Sequence, residues 1–180
     1  MRITGGILCG RKVKVPGGNI RPAMDRMRES VFAILGDLTG LSFLDLFSGS
    51  GIIALEAASR GAMDIEAVEA DPLKRKTLLA NVNISPQRIN CRFMSVELYI
   101  IRAKRAFDLI FCDPSFPYRH KSALIQSIAD SALVNLVNNE TRLLIHYPKN
   151  ESLEIQSQNL ILQDTREFGL SAVSFFTSKK

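Results

Sequence analysis

Leu44-Asp45-Leu46-Phe47-Ser48-Gly49-Ser50-Gly51 is the stretch on which the fold turns. Residues 43–47 are apolar but for one carboxylate and short enough for a buried strand. Gly49 and Gly51 make a tight turn, and residues 52–59 form a helix closed by Arg60-Gly61. Strand, glycine turn and helix together are the geometry with which open α/β sheets hold phosphates and nucleotide cofactors. The glycines let backbone approach a ligand, and the helix aims its free N–H groups at the same spot.

Outward from this unit the chain alternates. Strands are expected over 65–69, 91–94, 107–112 and 143–147, with helices opening at Pro72 and running to about 82, then over a stretch to 104, then over 121–137. Upstream, Pro22 precedes a helix over 24–35 whose inner face carries Met27, Val31, Ile34 and Leu35, with Gly36 ending it. Alternating strand and helix predicts an α/β fold with a mainly parallel sheet covered on both faces. The last strands, 160–165 and 172–177, have Gly169 and no helix between them, so they read as an antiparallel edge hairpin. Residues 1–20 read as turns and short strands forming a hairpin arm, and 21–180 as the domain that carries it.

The bulk properties narrow the class. At 180 residues, with 46% hydrophobic and 23% charged positions, the chain suits one soluble globular domain. It has no apolar run of membrane-spanning length and no secretory h-region, so a cytoplasmic protein is expected. Three widely spaced cysteines and two histidines argue against a disulfide framework and against a metal site. Cys112, inside an apolar strand, is expected to be a buried inert thiol rather than the nucleophile of a carbon-methylating enzyme. Residues 1–28 hold Arg2, Arg11, Lys12, Lys14, Arg21, Arg26 and Arg28 against Asp25, a net of +6. The remaining 152 residues hold 16 basic and 17 acidic groups, a net of −1. A basic arm on a near-neutral body fits a polyanion contact; a charged, protected edge strand is the plainer alternative.

Gly49-x-Gly51-x-x-Ala54 also satisfies a dinucleotide fingerprint. Asp45 separates the readings. A carboxylate in the strand would repel a pyrophosphate, whereas it suits a cation such as the sulfonium and ammonium of S-adenosylmethionine. Glu69, twenty residues after Gly49 and at the next strand's end, can accept from both ribose hydroxyls. A second motif, Asp113-Pro114-Ser115-Phe116, ends a later strand, where ligands sit in such sheets. Pro114 holds Asp113 extended and leaves a carbonyl free to accept. Two acceptors can draw the N–H groups of a base amino group out of plane and restore its lone pair, while Phe116 stacks on the base. The base must be unpaired or flipped out to reach them.

In these residues the chain resembles the bacterial 16S rRNA guanine-N2 methyltransferases of the small ribosomal subunit. The segment 21–35 resembles their R-P-T-x-x-R-x-R-E-x-x-F-x-I-L signature, and 45–61 resembles D-L-F-A-G-S-G followed by x-L-x-x-E-A-x-S-R-G. Val68-Glu69-Ala70-Asp71 resembles V-E-x-D, and 107–116 resembles F-D-x-I-F-x-D-P-P-Y. The resemblance implies a class I S-adenosylmethionine-dependent methyltransferase (Rossmann-like) sheet of seven strands with a small N-terminal β-hairpin arm. It implies S-adenosylmethionine as donor, S-adenosylhomocysteine as product and no metal. It places Asp45, Ser48 and Gly49 at the methionine part, Glu69 at the ribose, Ser95 at the adenine, and Asp113, Pro114, Ser115 and Phe116 at the guanine, with Phe47, Gly51 and Ala70 as further cofactor-binding residues. The partner implied is 16S rRNA or the assembling small subunit; the charge of residues 1–28 makes the arm the expected RNA contact, and a monomer is expected. Three positions depart from the pattern: Ala23 for Thr, Ser95 for an Asp that would accept from the adenine amino group, and Ser115 for the second proline. Other readings are a DNA amino-methyltransferase acting on adenine or cytosine, for whose usual recognition insert there is no room, and a noncatalytic RNA-binding or assembly protein. A small-molecule methyltransferase would leave the basic arm without a role.

Overall fold

A computed structural model describes residues 1–15, 22–115, 121–130, 137, 140–153, 157 and 159–178, with side chains from residue 25 onward in the first helix. The elements, in order, are α1 (Pro22–Leu35), β1 (Ser42–Leu46), α2 (Ile52–Ser59), β2 (Met63–Val68), α3 (Arg75–Val82) and β3 (Ile89–Arg92). There follow α4 (Val96–Arg102), β4 (Leu109–Cys112), α5 (Lys121–Asp130), β5 (Arg142–Pro148), β6 (Leu160–Phe168) and β7 (Ser171–Ser178). One seven-stranded sheet has the order β3-β2-β1-β4-β5-β7-β6, parallel except for β7 against both its neighbours. From β1 the chain steps outward to β2 and β3, then returns to lay β4 on the other side of β1. That reversal is the switch point beyond whose strand ends ligands bind in open sheets.

The two sheet faces build two cores. Phe43, Ile65, Ala67, Leu109, Phe111 and Leu144 meet α1, α2 and α3, while Leu44, Leu46, Val68, Ile110, Cys112 and Ile145 meet α4 and α5. Strands buried on both faces are apolar at successive positions, as β4 is, with all four residues buried. The edge strand β6 instead exposes most of its side chains, Arg166 and Glu167 among them, which discourages pairing with another chain.

Helix α2 is buried on every side, including Glu56 and Ser59. Its sequence is apolar nearly all round, so it needs cover on the side away from the sheet. The arm supplies that cover. Ile3, Leu8 and Val13 join the core beneath α1 and α2, and the backbone N–H of Ile7 donates to Ser59 O at 2.8 Å. Gly6 makes the approach possible: its φ is +73°, and a Cβ there would lie 1.8 Å from the Ser59 carbonyl. Among the described residues the arm is held together by an antiparallel bridge between Arg2 and Lys12 and by backbone hydrogen bonds such as Ile3 N to Arg11 O and Val13 N to Met1 O.

Two expectations need correction. Ile34 is half exposed; the inner face of α1 is Met27, Arg28, Val31, Phe32 and Leu35, a stripe that leaves Ile34 on its rim. The helix expected from Pro72 begins at Arg75, because the Asp71 carboxylate accepts from Leu73 N and its carbonyl from Lys74 N, forming a turn first. The part of the expected helix beyond residue 130 lies, apart from Val137, outside the described residues.

Candidate active site

Strand parity places the site. Side chains alternate along a strand, so Asp45 shares a face with Phe43, Glu69 with Ala67, Asp113 with Phe111 and His146 with Leu144. All four polar residues therefore emerge on the face of α2, toward the carboxyl ends of neighbouring parallel strands. Asp45, Phe47, Ser48, Gly49 and Asp113 line one cavity of about 190 Å³, which Met1 and Val15 of the arm help to close.

Asp45 is fully buried. Its Oδ2 accepts from Ser48 Oγ at 2.6 Å and from Ala54 N at 3.2 Å, which fixes the turn to the start of α2. Its Oδ1 is buried and has no hydrogen-bond partner among the described residues. Burial pushes the Asp45 carboxyl up to about 7, against the lowering effect of the Ser48 and Ala54 hydrogen bonds; the charges of Asp113 and Glu69 push it further the same way. An uncompensated buried acceptor beside two other carboxylates suits a cation. The donor set thus fits S-adenosylmethionine, whose ammonium and sulfonium are positive.

The turn itself is shaped by backbone. Phe47 takes a left-handed conformation at φ 63°, uncommon for an aromatic residue and costing about 1–3 kcal/mol in general. Ser48 N donates to Val68 O, tying the turn to β2. Gly51 has φ 80°, and a Cβ would stand 2.7 Å from Leu78 Cδ1, so α3 packs where a side chain would project. Glu69, which does not line that cavity, ties the turn from the end of β2: Oε2 accepts from Gly49 N at 2.7 Å and Oε1 from Asp71 N at 2.8 Å. Those bonds occupy two of the roughly four acceptor directions of a carboxylate, leaving room for ribose hydroxyls.

At β4, Asp113 is 22% exposed, and its backbone N–H donates to Leu46 O. His146 Nδ1 lies 2.7 Å from Asp113 Oδ1; with Asp113 ionised the ring nitrogen is the donor. Pro114 is buried and Ser115 exposed. Phe116 lies outside the described residues, as does Arg21. Neither Ala70 nor Ser95 lines the cavity; both are exposed, and Ser95 Oγ accepts from Leu98 N at 3.2 Å as the cap of α4. Cys112 is fully buried, and burial raises its thiol well above the ordinary range, with Asp113 and Asp45 adding to the effect, which disfavours a thiolate at that position.

The basic arm divides. Arg2, Arg11, Lys12, Lys14 and Arg26 are exposed. Arg28 is not an RNA contact of this kind. It is 2% exposed, its Nε donates to Glu56 Oε1 at 2.7 Å, and its Nη2 donates to the Arg2 carbonyl at 2.6 Å. The cation pins the arm to α2. Sequence reasoning also missed Asn81, whose amide exchanges two hydrogen bonds with the Lys14 backbone and donates to Ser50 O, so one buried side chain ties the arm to the glycine turn. It missed His146 as well, because the β4–β5 register is what puts that ring beside Asp113.

The family described as Conserved hypothetical protein 95 matches residues 1–177. The chain is 30% identical over 168 residues to the ribosomal RNA small subunit methyltransferase D of Escherichia coli K12, covering 85% of this chain and 82% of that one. The solved structure of yhhF from Escherichia coli, a candidate methyltransferase, superposes with a TM-score of 0.85 at 25% identity and covers 99% of this chain and 98% of that one. A candidate methyltransferase solved in complex with SAH shares the fold with a TM-score of 0.71 at 18% identity, covering 94% of this chain and 52% of that one. No helix among the described residues is long and apolar enough to cross a membrane.

Proposed function

The chain belongs to the Conserved hypothetical protein 95 family, and from that membership and the site's geometry we propose that it methylates the exocyclic N2 of a guanine in 16S rRNA, with S-adenosylmethionine as donor. The observation that carries the reading is the meeting of Asp45, with its unpartnered Oδ1, and Asp113 at one cavity beyond the ends of β1 and β4. In this reading Asp45 and the glycine turn hold the positive methionine part, and Glu69 holds the ribose. S-adenosylmethionine, when bound, supplies a methyl group already activated by the sulfonium.

The chain's own contribution is placement and charge. Asp113 accepts one N–H of the guanine amino group, and the Pro114 carbonyl accepts the other. Both acceptors favour a nitrogen whose lone pair is no longer shared with the ring. Asp113 is also the base nearest to the proton that N2 sheds when its bond to carbon forms. Phe116 stacks on the base in this reading, and Ser95 offers its hydroxyl to the adenine. The exposed cations of the arm, Arg2, Arg11, Lys12, Lys14 and Arg26, together with Arg21, meet RNA phosphates, with the protein acting as a cytoplasmic monomer on rRNA or on the assembling small subunit.

The test is methyl transfer from labelled donor to small-subunit rRNA, followed by mapping of the modified nucleotide and its loss from rRNA of a deletion strain. A single guanine carrying the label at N2 supports the reading. Label on an adenine or cytosine amino group, or none on nucleic acid, sinks it.

A further inference from the structure

Asp113 is held from behind by a residue outside both motifs. Cys112 pairs with Ile145 in the parallel ladder of β4 and β5, so the next residues, Asp113 and His146, stand side by side and project to the same face. The imidazole is 3% exposed and the carboxylate 22%, so the ring sits in the protein while the carboxylate reaches the cavity. The 2.7 Å bond joins Nδ1 to Oδ1. Asp113 Oδ2 makes no hydrogen bond among the described residues. A carboxylate without a fixed partner can exchange its two oxygens by rotation; one oxygen tied to a buried ring cannot turn away.

We propose that His146 is a positioning residue for methyl transfer: its Nδ1–H holds Asp113 Oδ1 so that Oδ2 is the acceptor presented to the target amino group. The inference rests on the guanine reading, because that reading makes Asp113 the acceptor. It assigns His146 no contact with cofactor or substrate. Its effect passes through the angle and distance of one carboxylate oxygen, a term that belongs to the chemical step. The plainer role for a buried histidine is to satisfy the core, and that role predicts a loss of stability instead.

Two substitutions separate the roles. His146→Ala removes the donor, whereas His146→Asn keeps an amide N–H near the place of Nδ1. On the rRNA guanine that the parent methylates, His146→Ala is expected to lower kcat by roughly 10- to 100-fold, with KM for RNA and Kd for S-adenosylmethionine within about twofold of the parent. His146→Asn is expected to recover most of the lost kcat. Without cofactor or RNA, nitrogen NMR of the parent at alkaline pH should show the Nδ1-protonated tautomer, and Asp113→Ala should remove that preference. If His146→Ala does not fold, the Asn variant and the NMR measurement still decide. Parent-like kcat in His146→Ala, a kcat loss that Asn does not repair, or an Nε2-protonated ring in the parent overturns the inference while leaving guanine methylation standing. A parent that methylates no guanine overturns both readings, and the mapping shows which has failed.

Discussion

Glu56 and Asp45 are both carboxylates with no solvent exposure, set on the same face of the sheet, and they have opposite surroundings. Glu56, in α2, is saturated. Oε1 accepts from Thr4 N and Arg28 Nε, and Oε2 accepts from Thr4 Oγ1 and from Arg60. Two cations neutralise it, and the arm is fastened through it. Asp45, in β1, has no cation: one oxygen fastens the glycine turn and the other accepts nothing among the described residues. A buried charge that is fully paired is architecture, whereas one left half satisfied in a cavity wall is where a ligand's positive charge belongs. The difference teaches where to look for binding in this fold: at the acceptor that the protein leaves uncompensated.

The largest expected effect falls on the saturated side. Glu56→Ala leaves Arg28 and the arm's Thr4 without their acceptor and should cost about 3–5 kcal/mol of stability, read by denaturant unfolding. A loss below about 1 kcal/mol would erase the contrast. Next is Asp113→Ala, which should reduce kcat by about 10² or more with little change in cofactor affinity. Full activity in that variant would remove the amino-methylation reading. Asp45→Asn should weaken S-adenosylmethionine binding by about 1.5–3 kcal/mol by calorimetry, the range of a charged hydrogen bond. Without cofactor, the same variant should be more stable than the parent above neutral pH, where the parent must carry a desolvated charge. The sign follows from the raised carboxyl. The folded chain keeps its proton up to about pH 7 while the unfolded chain has already lost it, so this group's contribution to stability falls as pH rises from the ordinary carboxylate range to about 7 and is level above. The smallest effect is at the arm: replacing Arg11, Lys12 and Lys14 with Gln should lower the salt slope of RNA binding by about 0.7–0.9 per lost phosphate contact and leave cofactor affinity unchanged. An unchanged slope would make the arm a cover for α2 and nothing more.

Much of this architecture is legible in sequence because the signals are local. The glycine turn after Leu46 and the Asp-Pro after Cys112 mark the two strand ends on either side of the switch point, and apolar runs mark the strands. What sequence reading misses is set by contacts between distant segments. Arg28 resembles one more cation of a basic arm; only the fold brings it to Glu56 and to the Arg2 carbonyl, 28 and 26 residues away. The link between His146 and Asp113 depends on the β4–β5 register, which no local pattern specifies. Ser95 is read as an adenine contact from the family resemblance, whereas its hydroxyl in the structure caps a helix, a role open to any Ser before such a segment.

The central claim, that the unpartnered oxygen of Asp45 is the seat of the cofactor's positive charge, is tested most directly by calorimetric titration of S-adenosylmethionine near pH 7 in buffers of different ionisation enthalpy. A cation beside Asp45 drives its ionisation, so the parent should release more protons per bound cofactor than Asp45→Asn does, and should bind more tightly. Equal affinity and equal proton release in parent and variant would contradict the account.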